Sequence, residues 1–226
     1  MMLKSLKKKM NKIEYQIVSS GSKGNSVIYR EEYAVDMGVF YRDIFPYLDK
    51  IKVILLTHRH TDHLHKPTVK RIVKDYPEIK WLCGEHLQHI VEDCGVVPII
   101  VEAGKIYQVG YCKINPVSLY HDVPNFGYRF YFNDGYKIIH ATDTFTLEGI
   151  SAKGFDLYAL EYNHDELIIE KEIEEKLEKG VYCYEIGARN SHLSFQKCID
   201  YFNKMKSDKS ELLKLHISHK YKGEDV

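Results

Sequence analysis

The sequence predicts an α/β (α+β) fold in which mixed β-sheet carries helices on its outside. Three observations point there. The chain opens on hairpin-connected strands, Ile13 to Val18 and Val27 to Tyr29, around the glycine-serine stretch Ser19-Ser20-Gly21-Ser22-Lys23-Gly24-Asn25-Ser26. Such a start favours a mixed, largely antiparallel sheet. Short apolar runs then alternate with amphipathic stretches, so strands and helices interleave. The two halves of the chain also look alike, each with strands first and helices after. With 226 residues, 44% of them hydrophobic, the chain can build one good-sized core or a two-layer sandwich counted as one domain. Residues 13–226 are assigned to that domain and residues 1–12 to a basic, flexible N-terminal tail.

Each element has its own signal. Tyr33 to Gly38 reads as a third strand ending in Asp-x-Gly, and Asp43 to Leu48 as a helix or helical turn. Val53 to Thr57 is β-branched, apolar and short, hence a buried strand. Pro67 suits the first position of a helix running to about Lys74, and Pro77 closes that unit. Ile79 to Cys83 is a strand, Glu85 to Asp93 a helix stopped at Gly95, and Val97 to Val101 another strand. The second half begins with the strands Ile106 to Tyr111 and Lys113 to Leu119. Asn133-Asp134-Gly135 then joins Gly127–Phe132 to Tyr136–Ile139 as a hairpin. Leu157 to Glu161 is a strand, Glu166 to Lys179 a charged amphipathic helix with a solvated face, and Ser194 to Met205 a helix. Leu212 to Leu215 is the last strand. No period of roughly 20–50 residues recurs.

Composition excludes several classes. The 32 basic residues balance 32 acidic ones, which argues against a strongly basic nucleic-acid module while leaving room for a local patch. Lys7 to Lys9, Lys23, Arg59, Lys66, Lys70 and Arg71 are the candidates for such a patch. Five cysteines without a C-x-x-C pair read as reduced core thiols of a cytoplasmic protein. No run approaches the ~18 apolar residues of a membrane helix. Met1 to Lys12 lacks the apolar region of a secretory signal.

The chemistry concentrates in Thr57-His58-Arg59-His60-Thr61-Asp62-His63, at the C-terminal end of a predicted strand. Three imidazoles and a carboxylate so close together form a dense set of ligands suited to zinc, manganese or iron. His58 and His60 can share one metal, and Asp62 and His63 can reach a second. The competing explanation is a histidine-rich exposed loop. It is disfavoured because histidines and acids recur at later strand ends: His121, Asp143, Glu161 to Asp165, and His216. The Ser20–Ser26 loop could cradle an anion with backbone N–H groups or be an ordinary hairpin loop.

In this order and placement, the motif and the later His, Asp and His resemble the metallo-β-lactamase fold superfamily over nearly the whole chain. The resemblance is closest to its phosphodiesterase branch and, within that, to YycJ/WalJ-like proteins. Ser20-Gly21-Ser22-Lys23-Gly24-Asn25-Ser26, Leu160-Glu161-Tyr162-Asn163-His164-Asp165, Ser191-His192-Leu193-Ser194 and Leu215-His216-Ile217-Ser218 carry it. RNase Z-like and PhnP-like enzymes share the last type of segment. Ser191 departs from the Gly of the Gly-His-Leu-Ser pattern, and there is neither a β-CASP insertion nor an RNase Z-type arm.

The resemblance implies a four-layer αββα sandwich of two mixed sheets flanked by helices. It implies two divalent metal ions, zinc first, with manganese or iron as alternatives. His58, His60 and His121 would bind one ion, Asp62, His63 and His216 the other, and Asp143 would bridge. His86 and His89 are rivals to His121, His140 to Asp143, and His192 and His219 to His216. Asp62 is also a candidate proton acceptor, and His164 and then His192 are candidates for delivering a proton to the leaving oxygen. Asp36 is expected to support a ligand or the fold. The implied activity is a metal-dependent phosphodiesterase or nuclease acting on DNA or RNA through a metal-activated water. The alternatives are hydrolysis of a cyclic phosphodiester, lactone, thioester or β-lactam, or non-enzymatic metal binding. The implied partner is nucleic acid or a small phosphodiester, with no membrane.

Overall fold

The structure, a computed structural model, describes residues 14–218 and 220. The basic tail and His219 fall outside them. The hairpin signals hold locally. β1 (Tyr15–Ser19), β2 (Ser26–Tyr29) and β3 (Tyr33–Val35) form an antiparallel meander. α1 (Tyr41–Ile44) then carries the chain over to β4 (Val53–Leu55), which lies parallel to β3. α2 (Lys66–Asp75), with Pro67 in its first turn, leads to β5 (Lys80–Cys83). α3 (Gln88–Glu92) leads to β6 (Pro98–Ile100), and both strands add in parallel. The first sheet therefore runs β1-β2-β3-β4-β5-β6.

The second sheet mirrors this order. β7 (Tyr107–Val109), β8 (Cys112–Leu119), β9 (Asn125–Phe132) and β10 (Lys137–Ala141) are antiparallel. β11 (Leu157–Glu161) and β12 (Glu211–Leu215) then add in parallel. Between these two strands lie α4 (Glu166–Glu178), α5 (Glu185–Ser191) and α6 (Phe195–Met205). Both sheets are thus evenly mixed rather than largely antiparallel. After the hairpins, longer crossover connections bring each new strand beside its neighbour in parallel.

Three apolar clusters define four layers. One lies between the sheets, built on Leu55, Leu82, Tyr128, Phe130, Ile138 and Leu157. A second packs the first sheet against α2, through Ile54, Trp81, Val69 and Ile72. A third packs the second sheet against α6, through Leu160, Tyr158, Phe195 and Cys198. Several inter-sheet positions are tyrosines whose hydroxyls tie the layers together. Tyr128 donates to the Leu56 carbonyl at 2.6 Å, Tyr33 donates to Val109 at 2.9 Å, and Tyr29 lies 2.7 Å from His140 Nδ1. The Tyr128 bond fixes the chain just before Thr57. The charged face of α4 is solvated, as its pattern predicts, with Ile169 and Ile173 buried. All five cysteines are free. No helix of the described residues is long and apolar enough to cross a membrane.

Candidate metal centre

Strands β3, β4, β8, β10, β11 and β12 end at one edge of the sandwich, and each end delivers a polar side chain there. The turns are tight enough that Asp36, Asp143 and His216, each just after a strand, take left-handed φ values of 62°, 56° and 52°. That region is uncommon for residues other than glycine, and Asp tolerates it better than most. Close backbone approaches assemble the rest. Asn25 N–H donates to the Asp62 carbonyl at 2.7 Å, Met37 N–H to His63 at 2.9 Å, and Gly38 N–H to Asn25 at 3.0 Å. The Ser20–Ser26 loop is therefore a buttress for the loop of residues 57–63. The Ser20 hydroxyl also accepts the His216 N–H at 2.7 Å.

His58, His60 and His121 converge, with His60 Nδ1 3.1 Å from His58 Nε2 and 3.3 Å from His121 Nε2. Asp62, His63 and His216 form a second group, and His63 and Asp143 also group with His58. Asp143 lies between the trios, with Oδ2 3.0 Å from His63 Nε2 and Oδ1 3.5 Å from His216 Nε2. A fourth group joins Asp143 and His216 to Glu161 and His192.

Each ring has its outer nitrogen fixed. The buried Asp36 carboxylate faces His63 Nδ1 at 2.6 Å and accepts the Thr57 hydroxyl at 2.8 Å. Thr57 Oγ1 in turn lies 2.9 Å from His58 Nδ1. His121 Nδ1 meets the Ser191 carbonyl at 3.1 Å, and His216 Nδ1 lies 3.3 Å from Glu161. With Nδ1 so engaged, His58, His63, His121 and His216 each turn Nε2 inward, where His63 Nε2 lies 2.9 Å from Asn25 Nδ2 and His121 Nε2 3.1 Å from Asp122 Oδ1. Only His60 is reversed, with Nδ1 inward and Nε2 3.6 Å from Asp122.

The electrostatics divide the site. Burial lowers the pKa of His58 and His121, so these rings are neutral. Burial would also lower His63, but Asp143 and Asp36 raise it well above the ordinary value. His216 is lifted against its burial to about 10, by Asp143, Asp62 and Glu161. Burial would raise the Asp143 carboxyl, yet His63 and His216 hold it well below the usual carboxylate range.

A divalent cation fits this donor set. Three imidazole nitrogens meet with no hydrogen available to all of them. Among the described residues, Asp143 Oδ2 and His216 Nε2 are buried without a hydrogen-bond partner, and buried polar atoms are seldom left so. Imidazole and carboxylate are the ligands that zinc, manganese and iron accept.

The rivals fall elsewhere. His140 is a core residue against Tyr29, with its pKa lowered by burial to about 3. His86 reaches the Thr57 carbonyl at 3.0 Å, and the His89 side chain is exposed. His164 is buried but belongs to none of the converging groups, and its Nδ1 lies 3.4 Å from Asn163 Oδ1. His192 does reach the site: it stacks on His216 with ring centroids 5.2 Å apart. Its Nδ1 lies 2.6 Å from Glu161 Oε1. Sequence reasoning passed over Glu161 as a site residue. It is fully buried, and its Oε2 accepts the Thr144 and Leu193 N–H groups at 2.8 and 3.1 Å. The available signal was a carboxylate closing an all-apolar strand, which burial tolerates only with partners. Lys23, Arg59, Lys66, Lys70 and Arg71 are all exposed, while Lys7 to Lys9 lie outside the described residues.

Residues 42–217 match the Beta-lactamase superfamily domain. The chain is 30% identical over 173 residues to the exodeoxyribonuclease WalJ of Streptococcus pneumoniae, an alignment covering 67% of this chain and 63% of that protein. The match therefore spans less than two thirds of that relative's length. The short form of human tRNase Z superposes with a TM-score of 0.65 at 16% identity, covering 92% of this chain and 93% of the other. A diphosphatase of the PhnP family superposes with a TM-score of 0.64 at 16% identity, covering 91% and 87%. At those identities the structural likeness is one of fold.

Proposed function

We propose that this chain, which belongs to the beta-lactamase superfamily, is a dinuclear metal-dependent phosphodiester hydrolase acting on nucleic acid. One observation carries the reading: three overlapping groups of ligand atoms, His58 with His60 and His121, His58 with His63 and Asp143, and Asp62 with His63 and His216, meet at one edge of the sandwich. His58, His60 and His121 would hold one ion, Asp62, His63 and His216 the other, with Asp143 between them. When bound, such a pair supplies Lewis acidity toward a phosphoryl oxygen and a water of lowered pKa. The likeness to an exodeoxyribonuclease supports a polynucleotide substrate.

The chain's own groups divide the remaining work. Asp62, with its side chain about a quarter exposed, would accept a proton from the attacking water. His192 is the better-placed donor to the leaving oxygen. Glu161 fixes its Nδ1, its side chain is 19% exposed, and its Nε2 has no hydrogen-bond partner among the described residues. His164 is assigned to structure, since its backbone carbonyl accepts the Phe195 N–H at the start of α6.

The test is hydrolysis of end-labelled single- and double-stranded DNA and RNA by metal-replete protein, with zinc or manganese and an Asp62→Ala control. Cleavage that is lost in the control is expected. Absence of diester cleavage with either metal would overturn the reading and favour ester, thioester or lactone substrates.

Asp36 makes a second expectation. It orients two proposed ligands, His63 directly and His58 through Thr57. Asparagine tolerates its left-handed backbone, but it has a single side-chain oxygen to accept with and puts an NH2 donor where the second carboxylate oxygen accepts. Asp36→Asn should weaken zinc binding by roughly 10–100-fold in a chelator competition. Unchanged affinity would show that these rings are held without it.

A further inference from the structure

Most aromatic rings of this chain are buried or half-buried, but two exposed ones sit beside the proposed metal ligands. Tyr120, 65% exposed, precedes His121, and Phe145, 39% exposed, follows Asp143 by two residues. Their backbones are tied together. The Phe145 N–H donates to the Tyr120 carbonyl at 2.7 Å, and the Tyr120 N–H donates to the Thr144 hydroxyl at 3.1 Å. Thr144 is itself buried and anchored, its N–H on Glu161 at 2.8 Å and its hydroxyl on the Thr146 carbonyl at 2.9 Å. The chain under the two rings is therefore fixed while the rings stay in solvent. Lys197, on α6, places Nζ 3.7 Å from the centre of the Phe145 ring. Among the described residues no carboxylate lies within ion-pair distance of it.

Resting on the phosphodiesterase reading, we propose that Tyr120 and Phe145 form a stacking platform for an unpaired nucleobase next to the scissile phosphate. Lys197 is the cation that meets the adjoining backbone. Two exposed rings on a tied backbone next to a phosphate-directed centre match the way single strands are held without sequence readout. Every base has a π-face, and stacking on aromatic side chains is strong and sequence-tolerant. A cation beside the ring adds its attraction for the strand's phosphates. Polar residues flank both rings in the chain, His121 and Asp122 after Tyr120 and Asp143 and Thr144 before Phe145, so the two rings suit a flat base better than a protein face. The consequence is selection: a strand that offers an unpaired base at this position is preferred over a bare sugar-phosphate chain.

The test compares kcat/KM for an oligothymidylate and for a chain of abasic tetrahydrofuran units of the same length, both end-labelled, with manganese-loaded protein. The ratio is internal to each preparation and so independent of the fraction that folds. The wild type should favour the base-bearing strand by on the order of 10–100-fold. In a Tyr120→Ala, Phe145→Ala double variant the ratio should fall to within about threefold of unity. The Tyr120→Phe, Phe145→Tyr exchange should keep it. A wild-type ratio near one would overturn the proposal, as would a ratio unchanged in the double alanine variant. So would loss of cleavage of both strands in the alanine variant while the aromatic exchange remains active, because stacking cannot act on a strand without bases. Failure of the wild type to cleave either strand would instead sink the phosphodiesterase reading beneath it.

Discussion

Asp143→Asn is expected to lower kcat/KM for diester cleavage by on the order of 10²–10³-fold while leaving the fold intact. Asparagine is the informative replacement. Asp143 has φ 56°, where alanine would add backbone strain of ~1–2 kcal/mol to the loss of the ligand. Asparagine keeps the shape and tolerates the conformation, so the change isolates the charge. That charge stands between two clusters: His63 and His216 both face it, and among the described residues its Oδ2 has no hydrogen-bond partner. Removing it leaves two buried imidazoles without their counter-charge and the proposed ions without a shared ligand. Steady-state cleavage of a labelled oligonucleotide, with thermal unfolding in parallel, measures both effects. A variant within a few-fold of wild type would mean that Asp143 is not shared between two ions.

Gly38→Ala should be as damaging, although Gly38 touches no proposed ligand side chain. A methyl group there would lie 1.7 Å from the Asp62 carbonyl oxygen and 2.7 Å from the His63 backbone nitrogen. Those are backbone atoms, so the loop that carries the proposed ligands must itself move. Overpacking of this kind costs about 1–3 kcal/mol and often more. A displacement of roughly 1 Å at a reacting centre can cost about 100-fold in rate. The expected result is a Tm lowered by several degrees together with a loss of activity near 100-fold. Gly187→Ala is the matching control. Gly187 lies inside α5 with open space where the methyl would go, so alanine should stabilise by about 0.5–1 kcal/mol. Normal activity in Gly38→Ala would show that the loop has slack that the close packing denies.

How much of this was legible in the sequence depended on whether the signal was local. The ligand loop was, because Val53 to Leu56 is too short and too β-branched for a helix and must turn where the histidines begin. Asp143 and His216 were legible for the same reason, each closing an apolar run. The supporting carboxylates divide. Asp36 could be suspected from Asp-x-Gly at a strand end. Glu161 also closes a strand, but its partners His192, Thr144 and Leu193 lie at least 17 residues away and become neighbours only when β11 packs beside β10. His164 was the converse case. It sits in a motif rich in ligand types, yet its backbone bridges to Ser194 and its ring stays beside Asn163. α5 gave no usable pattern, since Glu185-Ile186-Gly187-Ala188-Arg189-Asn190-Ser191 contains a glycine and only one large apolar residue. The even mixture of parallel and antiparallel pairing was hidden too, because crossover direction is a property of packing rather than of any one strand.

Anomalous diffraction from crystals grown with zinc tests most directly whether two ions share Asp143. Two strong peaks are predicted, one ligated by His58, His60 and His121 and the other by Asp62, His63 and His216, with Asp143 touching both. A single peak, or none among these residues in protein that still cleaves diesters, would contradict it.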